Sequence, residues 1–141
     1  MNKIPTLIPE LKVFDFDQSL NFYTRLAKFE VIYERVEESF AMLAVNGAYL
    51  MIEGLNGATT RSWLVGPMER PFGRGINLQI EVPDVHLLHQ GFVNAKYPIF
   101  FDLEEKWYRA DNQEIGHKQF LVQDPDGYLL RFCEKIGVRP L

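Results

Sequence analysis

The sequence predicts an α+β protein built from two βαβββ modules that share a curved mixed sheet, and three observations lead there. Leu11-x-Val13-x-Asp15 recurs as Ile80-x-Val82-x-Asp84, and each copy precedes a helical pattern and three strand-like runs. Asn46-Gly47 is a two-residue hairpin code between alternating apolar runs. Asp124-Pro125-Asp126-Gly127 reverses the chain between two further apolar runs, because Pro125 presets its own φ and Gly127 tolerates positive φ. The expected organisation is one domain over residues 1–141, with modules at 5–56 and 74–136 and a connector at 57–73.

In chain order, an extended apolar segment over about residues 6–13 reads as the first strand and stops at Asp15. Asp15 with Gln18 has capping-box spacing, so a helix follows to about Lys28, with Phe16, Leu20, Tyr23 and Ala27 on one face. Three strands lie between Phe29 and Glu53, broken near Glu37-Glu38 and at Asn46-Gly47. The two-residue loop sets Val45 opposite Ala48, Ala44 opposite Tyr49, Met42 opposite Met51 and Phe40 opposite Glu53. Ala41, Leu43, Val45, Ala48, Leu50 and Ile52 then share an aliphatic core face. The other face holds Phe40, Met42, Ala44, Tyr49, Met51 and Glu53, a composition suited to a ligand or another subunit.

Residues 54–74 are rich in Gly and Pro, with a short helix expected around Thr59 to Leu64 and burial expected for Trp63 and Phe72. Gly75 to Val82 alternates strictly, with Ile76, Leu78, Ile80 and Val82 inward. A second helix runs from Pro83-Asp84 to about Ala95, and strands follow near 99–107, 117–123 and 128–134.

Composition bounds the function. A chain of 141 residues with 47% hydrophobic and 24% charged residues is an ordinary globular protein long enough for its own core. The single cysteine, Cys133, excludes an intrachain disulfide. No apolar run reaches the ~20 residues of a membrane span, and Met1 to Pro5 carries no signal-peptide core, so a cytoplasmic protein is expected. A net charge of −4 without a Lys/Arg cluster argues against nucleic acid and favours a cationic or neutral partner.

The hairpin His117 to Glu134 resembles the closing hairpin of the vicinal oxygen chelate superfamily, which contains glyoxalase I, bleomycin-resistance proteins and extradiol dioxygenases. Val13-x-Asp15-x-x-x-Ser19-x-x-Phe22-Tyr23 is similar to that superfamily's opening signature, and the likeness extends from Ile8 to Glu134. The resemblance implies two half-barrel modules around a concave ligand cavity. It also implies four metal-ligand places, which fall by position on Ile8, Glu53, Asn77 and Arg131. Only Glu53 among them is a suitable ligand, and the Arg131 guanidinium sits where a divalent ion would. An apo cavity with Arg131 paired to Glu53 is therefore expected, with no metal, no cofactor and no catalytic residue.

Arginine at the last ligand place and the run Asp124 to Phe132 look like the bleomycin-resistance branch, as Trp107-Tyr108-Arg109 and Gln119-Phe120 do less specifically. That branch implies a homodimer that sequesters a bulky cation without modifying it. The candidate site comprises Glu53, Asn77, Gln79 and Arg131 as polar floor, with Phe40, Tyr49, Trp63, Trp107 and Tyr108 for stacking. Glu37, Glu38, Asp102, Glu104 and Glu105 would steer a cation inward. Trp63 and Trp107 serve core or dimer interface equally well on this reading. His86, His89 and His117 lack a third ligand and read as surface histidines, and Cys133 reads as a packing residue. The alternatives are a metal-dependent glyoxalase- or dioxygenase-like enzyme of the same superfamily, and a structural dimer whose cavity its own side chains fill.

Overall fold

Asp15 and Asp84 each cap a helix in the computed structural model, which describes residues 3–55 and 63–141. The Asp15 carboxylate accepts from the Gln18 amide at 3.1 Å, and Asp84 accepts from Leu87 at 3.0 Å. The chain forms two units: Met1–Arg74 with Asp124–Tyr128, and Gly75–Gln123 with Leu129–Leu141. No helix among the described residues is long and apolar enough to cross a membrane.

The first unit contains β1 (Glu10–Val13), α1 (Phe16–Asn21), a π-helical turn (Phe22–Leu26), β2 (Glu30–Arg35), a 3-10 turn (Val36–Glu38), β3 (Phe40–Val45) and β4 (Ala48–Gly54). Its four-stranded sheet has the order β1-β4-β3-β2, with β1 parallel to β4 and the other pairs antiparallel. All four expected hairpin pairs are present, from Val45 with Ala48 to Phe40 with Glu53. Ala41, Leu43, Leu50 and Ile52 are buried with Leu11, Val13, Phe22 and Tyr23.

The first strand is shorter than the sequence suggests. Pro9 has no amide to donate, so its carbonyl takes the Met51 amide and the ladder begins at Glu10. The helix also changes character: after Asn21 the Ala27 amide reaches back to the Phe22 carbonyl, a five-residue step. Phe22 and Tyr23, at the start of that turn, are both buried.

The second unit repeats the plan with β5 (Asn77–Glu81), α2 (Val85–Asn94), β6 (Phe101–Ala110), β7 (Gln113–Gln123) and β8 (Leu129–Pro140). Its sheet order, β5-β8-β7-β6, is that of the first sheet, again with one parallel pair at the first strand. The fold is thus α+β, two four-stranded mixed sheets with few helices. α2 packs on β7 and β8 through Phe92, whose ring meets Phe120 and Phe132 at 5.8 and 6.1 Å between centroids. Ile80 and Val82 are buried as expected, but Ile76 precedes the strand and is 61% exposed.

β6 and β7 form a longer hairpin than expected, turning at Asp111 with φ 59°. The strand expected from His117 starts at Gln113, so Gly116 lies inside β7. The Trp107 ring lies over it so closely that a Cβ there would come within 2.8 Å. The expected helix around Thr59 to Leu64 falls mainly outside the described residues; Trp63 and Leu64 lie in neither helix nor strand. Phe72 is buried, but Trp63 is 65% exposed, contrary to the burial expected for it.

Candidate functional site

Strand alternation puts every second residue of each sheet on the face opposite the aliphatic core, and cross-strand register sorts these residues into rows. In the first unit one row reads Lys12, Glu53, Phe40, Arg35, and the next reads Glu10, Met51, Met42, Tyr33. Lys12 and Glu53 form a buried ion pair, with side chains 10% and 9% exposed. The Arg35 guanidinium lies 3.9 Å from the centre of the Phe40 ring and binds Glu38 at 2.9 Å. The Glu10 carboxyl is pushed upward in pKa, first by burial and then by Glu53, with Lys12 and Arg35 opposing.

The second unit carries the rows Gln79, Arg131, Leu121, Phe101 and Glu81, Cys133, Gln119, Glu104. Arg131 Nε donates to Asn77 Oδ1 at 3.1 Å. Gln119, only 3% exposed, donates to Glu104 at 3.0 Å and to the Tyr108 hydroxyl. Cys133 is fully buried, which raises its thiol pKa and makes it a poor nucleophile.

The turn at residues 124–128 belongs to the first unit and is polar inside. Asp126, 1% exposed, accepts from the Phe14 amide at 2.9 Å and from Arg70 Nη2 at 2.9 Å. Asp124 accepts from the Asp126 and Tyr128 amides and, at 2.7 Å, from the Tyr23 hydroxyl. Burial outweighs these donors and pushes the Asp124 carboxyl from 3.8 to about 6. A raised carboxyl pKa means that the folded chain holds the proton longer than the unfolded one. Its contribution is therefore complete below about pH 4 and is lost as pH rises through about 6. Asp124→Asn is expected to remove this slope. Relative to the parent, the variant should gain about 2–3 kcal/mol between pH 4 and 7.5 in urea unfolding, and parallel profiles would contradict the assignment.

No family model matches the sequence, and no curated protein matches it significantly. Solved structures do. TioX from Micromonospora sp. ML1 is 21% identical over 92% of this chain and 98% of its own, with a TM-score of 0.69. A glyoxalase/bleomycin resistance protein/dioxygenase from Alicyclobacillus acidocaldarius is 19% identical over 94% and 92%, with a TM-score of 0.61. These two likenesses carry the fold. A glyoxalase/bleomycin resistance protein/dioxygenase superfamily member from Vibrio splendidus 12B01 is 38% identical over 90% of this chain and 95% of its own, with a TM-score of 0.42. Its sequence identity, not its superposition, decides the family. The chain belongs to the glyoxalase/bleomycin resistance protein/dioxygenase superfamily.

Within that superfamily the internal repeat corrects one ligand place. Ile8 and Asn77 are counterparts in the repeat that aligns Leu11 with Ile80, so the two later places should be counterparts too. Arg131 pairs with Gln79; the counterpart of Gln79 is Glu10, and Glu10 pairs with Met51. The place read as Glu53 is therefore Met51. Glu53 pairs with Lys12, and Arg131 with Asn77, in place of the expected Arg131–Glu53 pair. A hydrocarbon, a thioether, an amide already engaged and a guanidinium do not fit a divalent metal. No cluster of three His, Cys, Asp or Glu side chains suited to a metal occurs among the described residues.

The stacking candidates also divide. Phe40 is 2% exposed beneath Arg35, and Trp107 lies between Gly116 and the Arg139 guanidinium, 4.0 Å from its ring centre. Each ring already carries a guanidinium of the chain itself. Tyr49 is half-buried on the first sheet, Tyr108 is at the surface, and Trp63 is exposed within the connector. Asn77 and Gln79 are exposed on the second sheet, and Arg131 is half-buried there. His89 binds Asp102 at 2.8 Å, so it is a paired helix residue. Sequence reading missed Lys12, Glu10, Asp124 and Asp126. For the first two the signal was present, since their parity in β1 opposes that of the apolar Leu11 and Val13.

Proposed function

We propose that the protein binds and sequesters a bulky cationic small molecule without a metal, as a cytoplasmic homodimer conferring resistance of the bleomycin type. The Arg131–Asn77 hydrogen bond carries this reading, because it occupies two metal places with each other. With those places closed to a Lewis acid, the superfamily's metal chemistry has no seat, and binding remains. Relatives described as glyoxalase/bleomycin resistance proteins support it at the level of family. The first unit offers Tyr49 and Trp63 for stacking, and the second offers Tyr108 with Asn77, Gln79 and Arg131 as polar contacts.

Calorimetric titration of metal-free protein with copper-free bleomycin tests it. Saturable binding is expected, with Trp63→Ala weakening it about tenfold, the value of one good aromatic contact. Arg131→Glu should change binding of the cation, because it reverses a charge among the polar contacts and breaks the hydrogen bond to Asn77, while introducing a carboxylate able to hold a metal. Absence of heat with bleomycin and with a simpler planar cation would overturn sequestration. A stoichiometric transition metal in protein purified without chelator would favour the enzyme.

A further inference from the structure

The face of the first sheet opposite its aliphatic core carries charge that its own pairs do not cancel. Lys12 neutralises Glu53, and Arg35 neutralises Glu38. Glu10, half-buried in the adjacent row, makes no hydrogen bond or ion pair among the described residues. One row further, Tyr49, Ala44 and Glu30 stand in register, and Glu30 adds a second unpaired carboxylate at the exposed edge. Between these acids the surface is soft and aromatic: Met51 and Tyr49 are half-buried, Met42 lies beneath, and Tyr33 is 46% exposed.

We propose that this face binds a cation with an apolar body, an alkyl- or arylammonium, with Glu10 as its counter-ion and Met51, Tyr33 and Tyr49 as its wall. The inference rests on the cation-binding reading above and transfers the anionic role from Glu53, which is already paired, to Glu10. Thioether and aromatic side chains suit such a guest, since the ring faces attract a diffuse cation and methionine adapts to its shape. A strongly hydrated ammonium would give up more solvation than this surface returns, so bulky substituted nitrogen is favoured over a bare amine. Burial and Glu53 push the Glu10 carboxyl upward against the pull of Lys12 and Arg35, and an arriving positive charge would oppose that push.

The probe is benzyltrimethylammonium, with benzyl alcohol as its neutral control, followed by the 13C-methyl signals of the four methionines. Saturable shifts at Met51 and Met42, with Met1 and Met68 unmoved, are expected. Glu10→Gln should weaken the cation about tenfold and leave benzyl alcohol unchanged, with an unaltered melting curve showing that the variant folds. Equal affinity of parent and variant, or shifts that avoid Met51, would overturn the proposal. Copper-free bleomycin run in parallel separates the two readings. If it binds saturably but ignores Glu10→Gln and the methionines, sequestration stands and this face is wrong. If benzyltrimethylammonium behaves as expected and bleomycin does not bind, the face stands and the bulky ligand is wrong.

Discussion

Lys12→Ala is expected to destabilise the protein by about 3–5 kcal/mol, because it leaves the Glu53 carboxylate buried and uncompensated. The neighbouring Glu10 makes this worse, as two acids then share one desolvated stretch of β1 and β4. The double replacement Lys12→Met with Glu53→Leu removes both charges and keeps the volume, and should fall within about 1 kcal/mol of the parent. Urea unfolding of the parent, the single and the double variant forms the test. Equal losses in single and double variants would mean that packing, not charge, makes Lys12 necessary.

Gly127→Ala should have the second large effect. Gly127 sits at φ 104°, and a Cβ there would lie 2.4 Å from Pro71 Cβ and 2.6 Å from Pro71 Cα, with no flexible side chain to yield. Gly47 provides the control, because its φ of 83° also suits glycine yet its Cβ would meet nothing within 4 Å. Gly47→Ala should cost about 1–2 kcal/mol, the ordinary penalty of a left-handed residue, whereas Gly127→Ala should cost at least about 2 kcal/mol more. Thermal melts of the two variants side by side decide it, and similar losses would show that the turn can shift away from Pro71.

Local rules were enough wherever a short loop or a cap sets the geometry of the next element. Asn46-Gly47 dictated the β3–β4 register, and the two capping aspartates located both helix starts. Errors arose where tertiary contacts override local signals. The strand expected from His117 begins at Gln113, with Gly116 under the Trp107 ring, and the helix expected to run to Lys28 turns π-helical at Phe22. The site was legible in residue type more than in pairing. Alternation identifies Glu53 as facing away from the core, but only the parallel β1–β4 register shows that Lys12 is its partner. Likewise the ligand place at Met51 needs both registers and the internal repeat together.

The grouping of Asp124–Tyr128 with the first unit makes the repeat indivisible by a single cut of the chain. A fragment ending at Arg74 would keep every strand of its sheet yet lose the carboxylate that receives the Phe14 amide and Arg70, and the one that receives Tyr23. The Lys12 carbonyl would lose the Tyr128 hydroxyl as well. Each half of a duplicated plan usually carries its own closure; here the earlier half borrows its closure from residues translated some fifty positions later. Synthesis must therefore pass Tyr128 before the first unit has all its parts, whatever order the strands assemble in.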